Sequence, residues 1–210
     1  MAQISDCIRM TELICARLCH DLSGLVGTVG GAMELLSDAP SDLPEELVLA
    51  ADAARELTAR LRLYRAAWAG GEGALSLPSL LALADGLPHA RQIAIEVDLA
   101  PPDATLPHTV ARLLLNLLLL AGECLPKGGR ILLAGAPDDL FLRVLGPNAA
   151  WPSGFAACIA DSDAAIAALT SARRVQMPLS ALIAHAHGPR LSMLMGPAAA
   201  GAPPVLRLQS

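Results

Sequence analysis

Charged residues are scarce in this sequence, and the few that it has lean to the acidic side. Only 17% of its residues are Asp, Glu, Lys or Arg, and the formal net charge at pH 7 is -5. A nucleic-acid-binding surface needs a basic patch, and adsorption to anionic lipid needs a polybasic segment. The sequence has neither, so we expect no nucleic-acid partner and no membrane partner.

Paired cysteine motifs and long apolar runs are also missing. The five cysteines stand at positions 7, 15, 19, 124 and 158 without a C-x-x-C pair, which favours reduced thiols over a disulfide framework. The apolar run from Leu113 to Ala121 is interrupted by Asn116 and is too short to span a bilayer, and residues 1–10 have no signal-peptide apolar core. These features predict a cytoplasmic protein.

A long amphipathic segment runs from Ser5 to Leu36. At 100° per residue its large aliphatic side chains fall on one stripe, which predicts a helix with one buried face. The stripe consists of Ile14, Leu18, Leu22, Leu25, Val29 and Leu36. His20 lies on the opposite side, away from Cys15 and Cys19, which flank the stripe, so we expect no metal site.

The face that follows His20 has no side chains. One, two and three turns after His20 come Gly24, Gly27 and Gly31. With Gly30, these residues cost about 3 to 4 kcal/mol of helix stability relative to alanine, so the presence of four glycines requires an explanation. One explanation would be close packing of this face against a neighbouring helix. The other would be a second protein that binds along this face.

Three residues before His20 extend the same face. Leu13 and Ala16 would add apolar surface for a partner, and Arg17, one turn before His20, could offset negative charge on the imidazole. We therefore predict a partner-binding surface made of these three residues and the three glycines.

A second helix follows a turn-forming stretch at residues 37–44 and begins near Glu45. Its apolar residues repeat with spacings of three and four, as in a coiled coil. They are Leu47, Ala50, Ala54, Leu57, Leu61, Tyr64 and Trp68. Two helices cannot cover both stripes, which predicts a four-helix bundle formed by two copies of the chain. We expect this homodimer to be held by Leu18, Leu25, Leu57, Leu61 and Tyr64.

Glycines at 70, 71 and 73 predict a linker between a hairpin domain at residues 1–69 and a second domain at residues 74–210. In the second domain, helices are predicted at Leu80–Leu87, Thr105–Leu125, Ser162–Ser171 and Pro178–His187. Strands are predicted at Ile93–Leu99, Ile131–Ala134, Leu140–Leu145, Leu191–Met195 and Val205–Leu208, and residues 196–204 read as a loop. The predicted fold class is α+β, with helices over one face of a mixed sheet.

An exposed imidazole beside an acid suits nucleophilic attack on a phosphoryl group. Neutral imidazole is available near physiological pH, and the carboxylate of Asp21 can orient it and stabilise the positive ring that forms. The alternative is that His20 is a solvated surface histidine. We expect the other histidines, at positions 89, 108, 185 and 187, to be structural or solvated and not catalytic.

The residues from His20 to Gly27, with Met33-Glu34-Leu35-Leu36, resemble the H-box helix of ChpT-type histidine phosphotransferases of alphaproteobacteria. Residues 113–130 are similar to that family's counterpart of the N-box helix of sensor kinases. The resemblance implies a dimeric four-helix bundle with a degenerate kinase-type ATPase-like α/β sandwich on each side. It also implies a phosphotransferase that relays phosphoryl groups through His20, oriented by Asp21, in a bacterial two-component phosphorelay.

The implied partners are receiver domains, both of response regulators and of a hybrid histidine kinase, and the receiver would bring its own Mg²⁺. The chain departs from kinases in its nucleotide site: Asn116 aligns with a structural asparagine, the metal-binding position falls on Leu120, and the glycine-rich loops are missing. No bound cofactor is therefore expected. Leu25 and Gly24 replace a proline and a polar residue that relatives often carry. Two alternatives stay open, an ATP-dependent histidine kinase and a non-catalytic adaptor that docks receivers.

Overall fold

The computed structural model describes residues 2–38, 44–69, 73–187, 189–195 and 203–210. The α-helices in these ranges are α1 Ala2–Asp38, α2 Pro44–Trp68, α3 Leu77–Ala84, α4 His108–Glu123, α5 Phe155–Ala160, α6 Ser162–Ala167 and α7 Gln176–His187. The strands are β1 Ala74–Ser76, β2 Ile93–Leu99, β3 Thr105–Pro107, β4 Gly129–Ala136, β5 Asp139–Leu145, β6 Arg190–Leu194 and β7 Val205–Gln209. Short 3-10 turns lie at 90–92 and 172–174.

Helices α1 and α2 form the predicted hairpin. On α1 the aliphatic stripe turns inward, because Ile14, Leu18 and Leu22 pack against the buried core of the chain. Leu25 and Val29 are half-buried. The side chain of Leu36 and most of the predicted turn lie outside the described residues.

A five-stranded mixed sheet, with strand order β2-β4-β5-β7-β6, forms the second domain. The pair β2 and β4 is parallel, and the other neighbours are antiparallel. Alternate residues of the inner strands are buried, as period-two patterning predicts for a sheet covered on one face. On three strands these are Ile131, Leu133, Leu140, Leu142, Val144, Leu206 and Leu208. The predicted fold class is confirmed.

Helix α4 is the crossover between the parallel strands β2 and β4, and it occupies the centre of the core. Residues from Val110 to Ala121 are buried all around the helix, except Arg112, which is half-buried. This accounts for the apolar run near residue 113, because a helix that is apolar on every side must be enclosed. The chain then turns at Gly129, where φ is 146° and a Cβ would overlap the carbonyl oxygen of Leu145.

The hairpin and the second domain share one continuous core. Leu63, Tyr64 and Ala67 at the end of α2 belong to the same buried cluster as the residues of α4. Tyr64 stacks on Trp68, with ring centroids 4.2 Å apart and planes 8° apart. The division at residues 69 and 74 stays a prediction, and residues 70–72 lie outside the described ranges.

Side chains of α4 hold the C-terminal end of α2. The amide nitrogen of Asn116 donates to the carbonyl oxygen of Ala67 at 2.8 Å, and the guanidinium of Arg112 donates to the carbonyl oxygens of Ala67 and Trp68 at 3.3 Å each. The last carbonyls of a helix have no partner within it, so these bonds satisfy groups that would otherwise need water.

Several predicted helix bounds differ from those observed. Helix α3 begins at Leu77 because the hydroxyl of Ser76 accepts a hydrogen bond from the backbone nitrogen of Ser79, and a proline follows in the first turn. The predicted helix at Thr105 begins only at His108, since residues 105–107 pair with β1. Helix α5 was not predicted.

Candidate functional site

His20 lies in the middle of α1 with its side chain 62% exposed. Its Nδ1 is 3.2 Å from Oδ1 of Asp21. An ionised carboxylate can only accept hydrogen bonds, so Nδ1 must donate to it. In the neutral ring this leaves the lone pair on Nε2, which is the atom available for nucleophilic attack.

The carboxylate of Asp21 is enclosed, with 10% side-chain exposure. Its Oδ2 accepts hydrogen bonds from Nε of Arg17 at 2.6 Å and from the hydroxyl of Tyr64. Burial by itself would raise the pKa of Asp21, but the hydrogen bonds from Tyr64 and Arg17 outweigh burial and hold this pKa below its usual value. Asp21 is therefore ionised at neutral pH.

Arg17 connects Asp21 to the second domain. Its Nη1 lies 2.8 Å from Oε1 of Glu123, the last residue of α4, and 3.4 Å from the carbonyl oxygen of Arg173. The charge of Arg17 is thus already balanced by two carboxylates. Its contact with Asp21 is observed, whereas the screening of a phosphoryl group by Arg17 stays a prediction.

The glycine face of α1 is open. No heavy atom of the described chain, apart from the helix's own nearby backbone, lies within 4 Å of a Cβ built at Gly24, Gly27, Gly30 or Gly31. Packing against another helix within the described chain therefore does not account for these glycines. Ahead of His20, Ala16 is exposed and Leu13 is half-buried.

A cleft of about 660 Å³ lies between His20 and the second domain. Its walls include Arg17, His20 and Asp21 from α1, and Pro88, His89, Gln92, Leu119, Gly122, Glu123, Leu125, Pro126 and Arg173 from the second domain. Sequence reasoning missed Glu123 and Arg173 and set His89 aside. No local spacing could have found them, because the fold alone brings them to His20.

A family model described as the histidine phosphotransferase C-terminal domain matches residues 77–199, which is more than half of the chain. The chain belongs to this family. The match spans the second domain from α3 through β6, including α4 and Glu123.

Other known proteins are similar to this family member. The curated protein phosphotransferase ChpT of Brucella abortus (strain 2308) is 30% identical over 120 residues, which is 57% of each protein. The matched part thus spans little more than half of that relative. A solved structure of a bacterial phosphotransferase is 22% identical, covers 96% of each chain and has a TM-score of 0.73, which establishes the shared fold.

Asn116, the asparagine of the predicted N-box counterpart, is fully buried in this phosphotransferase family member. It holds α2 and accepts hydrogen bonds from Gln176, so its polar atoms are engaged in the core. Leu120, at the position expected for a metal-binding asparagine, is also fully buried and offers no ligand atom.

The five cysteines carry free thiols; those at 7, 15 and 19 are exposed and those at 124 and 158 are buried. In the described ranges, no group of three or more His, Cys, Asp or Glu residues is arranged to hold a metal ion. His185 lies 2.9 Å from the carbonyl oxygen of Cys158, a structural contact. Among the described helices, none combines the length and apolar character needed to cross a bilayer.

The residues predicted to hold a dimer differ in their exposure. Leu61 is 45% exposed, whereas Tyr64 is 3% exposed and keeps little surface for a second copy. Leu18, Leu25 and Leu57 are half-buried. Other apolar side chains of the hairpin remain more than half exposed, namely Ile4, Ile8, Val26, Met33, Leu35, Leu47, Val48 and Leu49.

Proposed function

We propose that this chain is a histidine phosphotransferase that relays phosphoryl groups between receiver domains, with His20 as the phosphorylated residue. One observation carries the proposal: an imidazole with an exposed side chain has its Nδ1 against an ionised carboxylate, beside an open helix face. A solvated surface histidine would need no enclosed aspartate behind it. Membership of the histidine phosphotransferase family supports the same activity.

The chemistry follows from the two ring nitrogens. Nε2 of His20 would attack the phosphorus of a receiver's aspartyl phosphate, while Asp21 holds the proton on Nδ1 and balances the charge of the ring. Return of the phosphoryl group to a second receiver's aspartate is the same step in reverse. The phosphorylated His20 would pass the group on, since the aspartate of the second receiver would approach the same Nε2 of this exposed ring.

The partners that this chemistry requires are receiver domains of response regulators and, as phosphoryl donor, the receiver of a hybrid histidine kinase. The open face of Gly24, Gly27 and Gly31, extended by Ala16, suits the close approach of a partner helix. The name of the Brucella relative, a protein phosphotransferase, supports a protein substrate.

We further propose that this chain binds no metal ion or nucleotide, and that Mg²⁺ enters with the receiver. The two carboxylates that line the cleft, those of Asp21 and Glu123, are both paired with Arg17. Leu120 fills the position where a kinase would need a metal ligand. Calorimetry with millimolar Mg²⁺-ATP should therefore give no binding heat; a micromolar dissociation constant would favour an ATP-dependent kinase.

A homodimer would complete the hairpin. The exposed apolar side chains along α1 and α2, Leu61 among them, would be covered by a second hairpin in a four-helix bundle. The free cysteines support action in a reducing compartment, which we propose to be the cytoplasm.

The test is transfer of labelled phosphate from a panel of phosphorylated receiver domains to this chain and then to a second receiver. We expect acid-labile label on the wild type and none on His20→Ala, which should remain folded because the side chain is exposed. Docking without label would favour the adaptor. Label that persists on His20→Ala would place the carrier elsewhere, with His89 the next variant.

A further inference from the structure

The two oxygens of the Asp21 carboxylate have separate partners. Oδ2 accepts from Arg17 and Tyr64, whereas Oδ1 faces Nδ1 of His20. With both lone-pair directions of Oδ2 engaged from two different helices, the plane of the carboxylate is fixed. That plane determines the direction in which Nδ1 of His20 is held, and hence where Nε2 points.

Arg17 is itself held from the second domain. Its Nε is bound to Asp21 on the same helix, and its Nη1 is bound to Glu123 at the end of α4. Fixing a long arginine side chain costs considerable conformational entropy. A single contact would not offset this cost, and the side chain would stay mobile. Glu123 supplies the charged contact at 2.8 Å, and the carbonyl oxygen of Arg173 adds a longer one at 3.4 Å. The second domain thereby reaches His20 through Arg17 and Asp21.

Tyr64 completes the arrangement from α2. Its ring is buried and stacked on Trp68, so the position of its hydroxyl is set by the core and not by solvent. Burial and the hydrogen bond to Asp21 raise the pKa of Tyr64, so the phenol keeps its proton and acts as a donor at physiological pH.

We propose that Glu123 and Tyr64 are positioning residues for phosphotransfer: they fix Arg17 and the Asp21 carboxylate so that Nδ1 of His20 keeps its proton and Nε2 faces the phosphoryl donor. This inference rests on the proposed role of His20. Neither residue contacts the phosphoryl group; each acts through Asp21.

The step that they support is balanced within the two proteins. The lone pair of Nε2 forms the new N–P bond, and the P–O bond to the receiver's aspartate breaks. The electron pair of that bond leaves on the receiver's carboxylate. The His20 ring becomes positive, keeps its Nδ1 proton, and is stabilised by the fixed negative charge of Asp21.

The experiment uses the full chain and phosphoramidate, a small donor that needs no receiver docking. Glu123→Gln removes the charge with little change of shape, and Tyr64→Phe removes only the hydroxyl. We expect each to slow labelling of His20 about tenfold, less than the roughly hundredfold that a 1 Å misplacement of a reacting group can cost, because Asp21 itself remains in place. The control is Glu96→Gln, an exposed glutamate of β2 paired with Arg130, which should label at the wild-type rate.

A spectroscopic measurement of the His20 tautomer distinguishes a positioning role of Glu123 and Tyr64 from a role in folding alone. At a pH where imidazoles are ordinarily neutral, the ¹⁵N shifts of the His20 ring, assigned by their loss in His20→Ala, should report a proton on Nδ1 in the wild type. In Glu123→Gln and Tyr64→Phe they should report a mixture of the two tautomers. Circular dichroism should show unchanged helix content in all variants.

A double-mutant cycle tests the route of action. If Glu123 acts through Asp21, then Glu123→Gln should slow labelling no further in an Asp21→Asn background. Equal slowing in both backgrounds would overturn the proposal, as would labelling within about twofold of wild type with an unchanged tautomer. Label that a phosphorylated receiver places on His20→Ala would instead overturn His20 as the carrier, and the inference with it.

Discussion

Gln176 donates its side-chain amide to both oxygens of Asn116, the backbone carbonyl and Oδ1, at 3.0 Å each. The side-chain amide of Asn116 in turn donates to the carbonyl oxygen of Ala67, and the hydroxyl of Ser180 lies 3.4 Å from the carbonyl oxygen of Asn116. These hydrogen bonds join α2, α4 and α7, and the polar groups that make them are buried in the apolar core. Each member depends on the others for its hydrogen bonds, because the side chains of Asn116, Gln176 and Ser180 are buried.

Asn116→Ala should therefore destabilise the protein by about 2 to 4 kcal/mol, since it leaves the carbonyl of Ala67 with a poorer partner and opens a small cavity. Urea denaturation followed by circular dichroism measures this. Thr170→Ala, at an exposed loop position, should change the free energy of unfolding by less than about 0.5 kcal/mol. A similar small value for Asn116→Ala would mean that the network contributes little net stability.

Substitutions at Gly27 should separate helix stability from partner docking. Gly27→Ala should stabilise the protein by up to about 1 kcal/mol, because alanine is the better helix former and the space beside it is open. Gly27→Trp should slow transfer from a phosphorylated receiver but leave labelling by phosphoramidate unchanged. Stopped transfer assays on the matched Ala and Trp variants check this; equal transfer rates would show that receivers dock elsewhere.

The proposed dimer should depend on Leu61. Leu61→Asp would bury an unpaired charge in the bundle and cost the dimer about 3 to 5 kcal/mol, by analogy with broken buried ion pairs. Light scattering should then report a monomer at micromolar concentration. Leu194→Asp, at an exposed leucine of β6, is the control and should leave the mass unchanged. A dimeric Leu61→Asp protein would place the contact on another surface.

The stability conferred by Asp21 should depend on pH in one direction. The pKa of Asp21 is lowered in the folded protein, so its contribution is fully present above the ordinary aspartate value of about 4 and is lost as the pH falls through the folded value. The difference in free energy of unfolding between wild type and Asp21→Asn should thus shrink on acidification. Burial raises the pKa of Glu123, so the contribution of Glu123 to stability changes with pH in the opposite direction. Glu123 is present in both the wild type and Asp21→Asn.

Denaturation of both proteins at neutral pH and near pH 3 measures this difference. A constant difference across that range would contradict the lowered pKa of Asp21 and would weaken the argument that it is ionised beside His20.

The sequence was sufficient for most of the architecture because its elements have strong periodicity. Strand β2 has the predicted bounds, and the hairpin helices follow from their apolar stripes. The predicted bounds of the helices next to β1 and β3 were wrong, because strands of three residues are too short to show a pattern in the sequence. Helix α5 is six residues long, too short for its periodicity to be recognised.

For the site, the exposure of His20 and the open glycine face follow from the geometry of a single helix, and the contact between His20 and Asp21 joins neighbours in the chain. The contacts of Tyr64 with Asp21 and of Glu123 with Arg17 do not, because these two residues come from α2 and α4. The spacing of Tyr64 fits an apolar seam, and nothing local indicates that its hydroxyl turns toward Asp21.

The bonds from Arg112 and Asn116 to the end of α2 also bear on how this molecule can be divided. A peptide that ends at residue 69 would lose those donors, and it would expose Leu63 and Ala67, which are fully buried in the intact chain. The boundary between hairpin and sheet is thus a boundary in sequence but not in packing. Anyone who grafts the histidine helix onto another scaffold should bring α4 with it.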